Sequence, residues 1–410
     1  VSRSVRFLAV TDSDSYVKWA GSLAGRLPSG WSARLVVLEA QGAPSERQVT
    51  EALTRTPFSV DDVERVDARS LRRLVAEWAP DVLLLATRAH AVPHVVRWLE
   101  GRPDRPVVVT GVAGIALPVQ WYDVNLRRGA DLFVTHSHRE VEEISAVARR
   151  HEVRHRTTLA TLPFLAHVRA SAATDGRPAH GTSVVFAPQS LVPAATEDRR
   201  RLLQRLADAA RARPDRRVVV KLRAQAGESE AHRGGASYVD LAHDLDLPSN
   251  LVFADGPMAE HLEDAAALVT VSSSAVLEAM AADVPAVILT DFGIDDAHMN
   301  SLFVGSRLLG TTDDVVAGRF HRADTRWAAD NYFHDDGDDT WVQDVEDLLA
   351  RRAAGLPEPA RLPRTLGNRL RSLYYRHDAL QPWRGTPLAP LERLMLWLAH
   401  VANRKVLHLR

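Results

Sequence analysis

Three consecutive serines, Ser272, Ser273 and Ser274, follow an apolar run and lead into a stretch of helix-forming residues that carries Glu278. Hydroxyls and backbone N–H groups at such a strand-to-helix turn suit a phosphate. The first amides of a helix lack intrahelical acceptors, and its dipole is positive at that end. One serine is enough to cap a helix, so three in a row offer more donors than the backbone requires. Downstream, His298 and Asn300 sit in a polar segment, 291–301, which has the composition of a plain surface loop. Lys221 and Arg223 close another apolar run. Two cations there would offset negative charge on a leaving group, or form a surface salt bridge. Near the N-terminus, Asp12 and Asp14 flank Ser13 directly after the first apolar run. A carboxylate so placed can take the proton of an attacking hydroxyl. Asp14 is the first candidate for that base and Asp12 the second; the other role open to Asp12 or Ser13 is to cap the next helix. Gly111 and Gly114 follow a further apolar run, either to admit a ligand close to the backbone or simply to turn the chain.

These residues share one kind of place, the end of an apolar run just before a helical stretch. Short β-branched runs at 5–10, 34–38, 82–86, 106–110 and 131–135 alternate with amphipathic stretches such as 70–78, where Leu71, Leu74, Val75 and Trp78 share a face. Runs that are apolar throughout fit strands covered by helices on both sides, as in a parallel sheet. A polar stretch at 169–178 interrupts the pattern and reads as a linker. The alternation then resumes with strands at 182–187, 217–222, 250–253, 267–271 and 285–289 and a long helix over 197–212. The expected fold is therefore α/β, with two Rossmann-like domains. The first spans 1–168 and the second 182–350, followed by a basic helical extension at 351–410. In open parallel sheets ligands bind beyond the carboxyl ends of the strands, which is where every candidate above lies.

Segment 265–286, with its apolar strand, Ser272-Ser273-Ser274 turn, Glu278 and closing Val284-Pro285-Ala286, resembles the donor-binding segment of GT-B glycosyltransferases, especially the N-acetylglucosaminyl transferases that make lipid II. The resemblance implies two domains facing a central cleft, 1–168 binding the acceptor and 182–350 a nucleotide-sugar donor, with ribose hydroxyls bound by Glu278 and the sugar or a phosphate contacted by His298 and Asn300. Serines stand where that family has a glycine, and serine turns are similar to those of enzymes using CMP-activated acidic sugars, so CMP and UDP donors both stay open. The Leu308-Leu309-Gly310-Thr311 run resembles UDP-N-acetylglucosamine 2-epimerases of the same fold. Capsule and teichoic acid transferases often carry Lys-x-His-Pro where this chain has Lys221, with Arg223 in the histidine's place.

Composition narrows the chemistry further. The 410 residues are 46% hydrophobic and 25% charged, enough to bury two cores without a staple. Cysteine is absent, which excludes disulfides, thiolate metal sites and a cysteine nucleophile. A net charge of −1 gives no bias toward nucleic acid. Of 51 basic residues only Lys18, Lys221 and Lys405 are lysine. The acidic run 335–339 reads as a solvated loop, and neither it nor Asp12 with Asp14 makes a metal site, so neither metal nor cofactor is expected. The short apolar run at 5–10 is too small for a secretory leader and no segment reaches about 18 apolar residues, so a cytoplasmic protein is expected. The last sixty residues hold twelve Lys or Arg against three Asp or Glu, with a helix predicted over 388–401. That tail either packs on the N-terminal domain or makes peripheral contact with the inner face of an anionic membrane.

The resemblance thus implies a metal-independent, inverting transfer of a sugar from a CMP- or UDP-linked donor to a glycan or lipid-linked acceptor of the cell envelope. The rival readings are a nucleotide-sugar 2-epimerase, a CDP-glycerol-type phosphotransferase and a non-catalytic nucleotide- or glycan-binding protein.

Overall fold

The computed structural model describes residues 4–361 except 41, 55, 155, 163–164, 166–180, 190–191, 223–236 and 353, and in addition 372 and 380. Two compact α/β units make up the chain, Val1–Ala160 with Gly337–Arg410, and Thr161–Asp336.

In the first unit the strands are β1 (Arg6–Thr11), β2 (Ser32–Leu38), β3 (Val63–Val66), β4 (Val82–Ala86), β5 (Val107–Gly111), β6 (Leu132–Thr135) and β7 (Arg156–Leu159). They form a parallel sheet in the order β3-β2-β1-β4-β5-β6-β7, with Phe7 opposite both Ala33 and Val82. The helices between them are α1 (Asp14–Ala24), α2 (Glu46–Leu53), α3 (Ala68–Trp78), α4 (Val92–Arg97), α5 (Trp121–Leu126) and α6 (His138–Arg150). Their starts follow from local chemistry: Ser45 and Gln48 close a capping box on α2, and Asp67 and Ser137 cap α3 and α6. Every residue of β4, β5 and β6 is buried, because apolar clusters line both faces of the sheet.

The second unit repeats the plan with β8 (Ser183–Phe186), β9 (Arg217–Lys221), β10 (Leu251–Ala254), β11 (Ala265–Thr270), β12 (Ala286–Leu289) and β13 (Leu309–Gly310), ordered β10-β9-β8-β11-β12-β13 and parallel. Its helices are α7 (Thr196–Ala212), α8 (Tyr238–Ala242), α9 (Met258–Glu263), α10 (Ala275–Ala281), α11 (Thr312–Ala317) and α12 (Thr325–Asp330). In both sheets the chain winds outward from the first strand and then reverses to the other side. The switch points therefore fall between β1 and β4, and between β8 and β11.

The final described helix, α13 (Trp341–Arg352), belongs to the first unit, whereas position along the chain grouped residues up to 350 with the second. Trp341, Val345 and Leu348 are buried in the core that contains Phe7 and Trp19, and each buried side chain of this kind contributes about 1.5–3 kcal/mol. Arg352 Nη1 donates to Asp81 at 2.8 Å, and Asp344 pairs with Arg156. The acidic run is not simply solvated. Asp338 meets His138 Nε2 at 2.9 Å, and Asp339, its side chain 5% exposed, pairs with Arg26 at 2.5 Å. Past α13, the Pro357 carbonyl accepts from Arg105 at 2.6 Å and Leu380 is buried among first-unit core residues. The stretch at 169–178 read as a linker and the helix predicted over 388–401 lie outside the described residues.

Candidate functional site

At the switch point of the second unit, the loops that leave β8 and β11 are stitched together. Thr270 Oγ1 donates to the Ala187 carbonyl at 2.8 Å and accepts the Ser273 N–H at 3.0 Å. Gln189 Oε1 accepts twice from Ser272, from its N–H at 2.9 Å and its hydroxyl at 2.7 Å. Ser273 Oγ in turn accepts the Ala275 N–H at 3.3 Å. The three serines thus divide their roles: Ser272 ties the two loops, Ser273 steadies the first amide of α10, and Ser274, the N-cap residue, makes no capping bond with its side chain. Among the described residues the Ser274 N–H also has no acceptor. Glu278 lies in the first turn of α10 and is only 8% exposed.

The neighbouring loop after β12 is held by its own polar groups. Asn300 is fully buried; its Nδ2 donates to the carbonyls of Gly293 (2.9 Å) and Leu289 (3.4 Å), and its Oδ1 accepts the Asp295 N–H at 3.1 Å. That amide shapes the loop from within, which a plain reading of the segment as ligand contacts did not foresee. His298 is different. Its backbone N–H and then its ring hold the Asp295 carboxyl below the usual carboxylate range. An ionised carboxylate can only accept, so Nδ1 carries the proton across the 2.8 Å bond and Nε2 is left as the basic nitrogen of the ring. Lys221 ends β9, half-buried, while Arg223 lies outside the described residues.

The first unit closes its own switch point with the same construction. Asp12, just beyond β1, accepts the Arg88 N–H at 3.1 and 3.2 Å and Arg88 Nε at 3.0 Å. Arg88 stands two residues past β4, as Ser272 stands two residues past β11. Burial pushes the Asp12 carboxyl above the usual range, against the lowering effect of Arg88. Asp12 is therefore a buried clamp, and neither Asp12 nor Ser13 caps α1 with its side chain. Asp14 opens α1 and is partly exposed. Beneath them Arg127, 1% exposed, donates to Tyr16 Oη at 2.9 Å and the Thr87 carbonyl at 3.0 Å and pairs with Asp123.

Two other first-unit groups with catalytic chemistry are fully engaged inside the fold. Indole Nε1 of Trp19 donates to His136 Nε2 at 2.7 Å, which leaves Nδ1 as the donor to the Ala160 carbonyl at 2.8 Å. Glu140 is buried and accepts the Ala116 and His136 N–H groups, each at 2.8 Å. Gly111 serves packing rather than a ligand, since a Cβ there would come within 2.7 Å of the Val134 carbonyl and 2.8 Å of the Trp19 ring. Among the described residues no cluster of three His, Cys, Asp or Glu side chains is placed to hold a metal. No helix among them is long and apolar enough to cross a membrane.

Arg88, Gln189 and Arg127 escaped the sequence reading. Arg88 and Gln189 meet partners 76 and 83 residues away along the chain, and Arg127, besides its i,i+4 pair with Asp123, reaches Tyr16 over 111, so no local pattern marks these ties.

The architecture is shared with solved structures. One is a S. aureus MnaA–UDP co-structure, with a TM-score of 0.57 and 10% identity over 88% of this chain and 100% of that one. A UDP-N-acetylglucosamine 2-epimerase described as putative, from Listeria monocytogenes, gives 0.56 and 11% over the same shares. The UDP-GlcNAc 2-epimerase of Neisseria meningitidis, bound to UDP-GlcNAc, gives 0.51 and 9% over 85% and 100%. At these identities the likeness is one of fold. No curated protein matches the chain. A family model described as "Putative glycosyltransferase (DUF6716)" matches residues 7–348, most of both units. The chain belongs to that family, DUF6716.

Proposed function

We propose that the chain transfers a sugar from a nucleotide-linked donor, held at the carboxyl end of the second unit's sheet, to a glycan or lipid-linked acceptor. The observation that carries this reading is the serine turn at the β8/β11 switch point, where among the described residues the Ser274 hydroxyl and N–H have no partner, followed on the same helix by a nearly buried Glu278. Ser274 suits a phosphate oxygen, and the Glu278 carboxylate suits the paired hydroxyls of a ribose. His298, oriented by Asp295, offers Nε2 to the sugar, and Lys221 offsets charge on the departing nucleotide. Asp14 takes the proton of the attacking acceptor hydroxyl as the anomeric carbon is inverted. No step in this scheme calls for a metal. Two similar folds carry UDP or UDP-GlcNAc, which supports a uridine donor, while the serine turn keeps a CMP donor in view.

Replacing Glu278 with alanine is expected to weaken nucleotide binding at least about tenfold, since a hydrogen bond to a charged group is worth roughly 1.5–3 kcal/mol. Calorimetric titration checks this, and unchanged affinity removes the ribose role. A second reading, 2-epimerisation of the nucleotide sugar, is favoured by the 2-epimerases among the similar folds. Incubation with a nucleotide sugar and no acceptor separates the two: an epimerase yields the 2-epimer, a transferase does not.

A further inference from the structure

Gln189 ties the two loops through its side-chain carbonyl oxygen alone. The atom facing Ser272 must be the carbonyl oxygen, because the Ser272 N–H can only donate. Both bonds to Ser272 fall on Oε1, so the amide orientation is fixed. The Nε2 amino group is thereby turned away from Ser272, and among the described residues neither of its N–H groups has an acceptor. The side chain is half-buried at the carboxyl end of the central strands. A donor pair held in place before any ligand arrives loses little rotamer freedom on binding.

We infer that Gln189 is a further ligand-binding residue, whose Nε2 donates to a phosphate oxygen of the nucleotide. The inference rests on the reading of the serine turn as the nucleotide site. Gln189→Glu tests it sharply. A carboxylate keeps both acceptor bonds to Ser272 but puts a negative oxygen where the amino group was, which repels a phosphate. Gln189→Met removes the donor without adding charge. Binding of UDP, CMP and the phosphate-free nucleoside uridine is measured by calorimetry for the whole chain and both variants.

The expected result is that Gln189→Glu binds UDP and CMP at least about tenfold more weakly than the wild type while uridine binding stays the same. Gln189→Met is expected to lose UDP affinity in the same direction, and it carries the test if the charged variant does not fold. UDP and CMP affinity unchanged in either folded variant would overturn the inference. So would equal losses for UDP and uridine, which would mark Gln189 as a structural tie alone. A wild type that binds none of the three would overturn the nucleotide reading itself, and this inference with it.

Discussion

Asp14→Asn is expected to lower sugar transfer by a factor of about 10² to 10⁴ and to leave nucleotide affinity unchanged. The two carboxylates after β1 have separate environments. Asp12 is fully buried and bonded to the Arg88 backbone and guanidinium, so it is shielded from an incoming hydroxyl. Asp14, on the first residue of α1, is partly exposed and is the carboxylate of the pair able to meet an acceptor. Asparagine preserves its size and a helix start, so stability should fall by less than about 1 kcal/mol. The measurement is release of nucleotide from a bound nucleotide sugar in the presence of acceptor, alongside a binding titration. A variant as fast as the wild type would move the base elsewhere.

The second large effect concerns the first unit's clamp. Arg88→Ala is expected to cost about 3 kcal/mol of stability at neutral pH, because it leaves the Asp12 carboxylate buried without its guanidinium. The pH dependence has a definite sign. Burial raises the folded-state pKa of Asp12 above its unfolded value of 3.8, and Arg88 works against that rise. Without Arg88 the folded pKa climbs further. As the pH falls through it, the folded state takes up a proton that the unfolded chain does not yet bind, and stability returns. The deficit of the variant should therefore be largest at neutral pH and shrink with acidification toward the unfolded value. Urea melts at a series of pH values measure this, and a deficit that is constant or grows on acidification would show that Asp12 does not carry it.

Most of the architecture was legible because the central strands are apolar throughout. The expected runs at 82–86 and 217–222 coincide with Val82–Ala86 and, to within one residue, Arg217–Lys221, and the expected helix 197–212 with Thr196–Ala212. The three strands that were missed, Val63–Val66, Arg156–Leu159 and Leu309–Gly310, all lie at sheet edges. An edge strand buries less, so Val63-Glu-Arg-Val66 and Arg156-Thr-Thr-Leu159 carry polar residues that break the hydrophobic run. At the candidate site the serine turn was visible because its residues are consecutive. What those serines do was not visible, since Ser272 is engaged by a glutamine 83 residues earlier. Asn300 shows the same limit from the other side: a polar residue in a polar loop is fully buried as an internal strut.

Among experiments on the central claim, a thermal-shift screen of the purified chain against CMP, CDP, UDP, GDP and dTDP without added metal is the most direct. A ligand that binds only the folded state, present at a hundredfold its dissociation constant, stabilises by about 2.7 kcal/mol and raises the melting temperature. The account predicts a clear rise with UDP or with CMP. No rise with any of the five would contradict a nucleotide site at the serine turn.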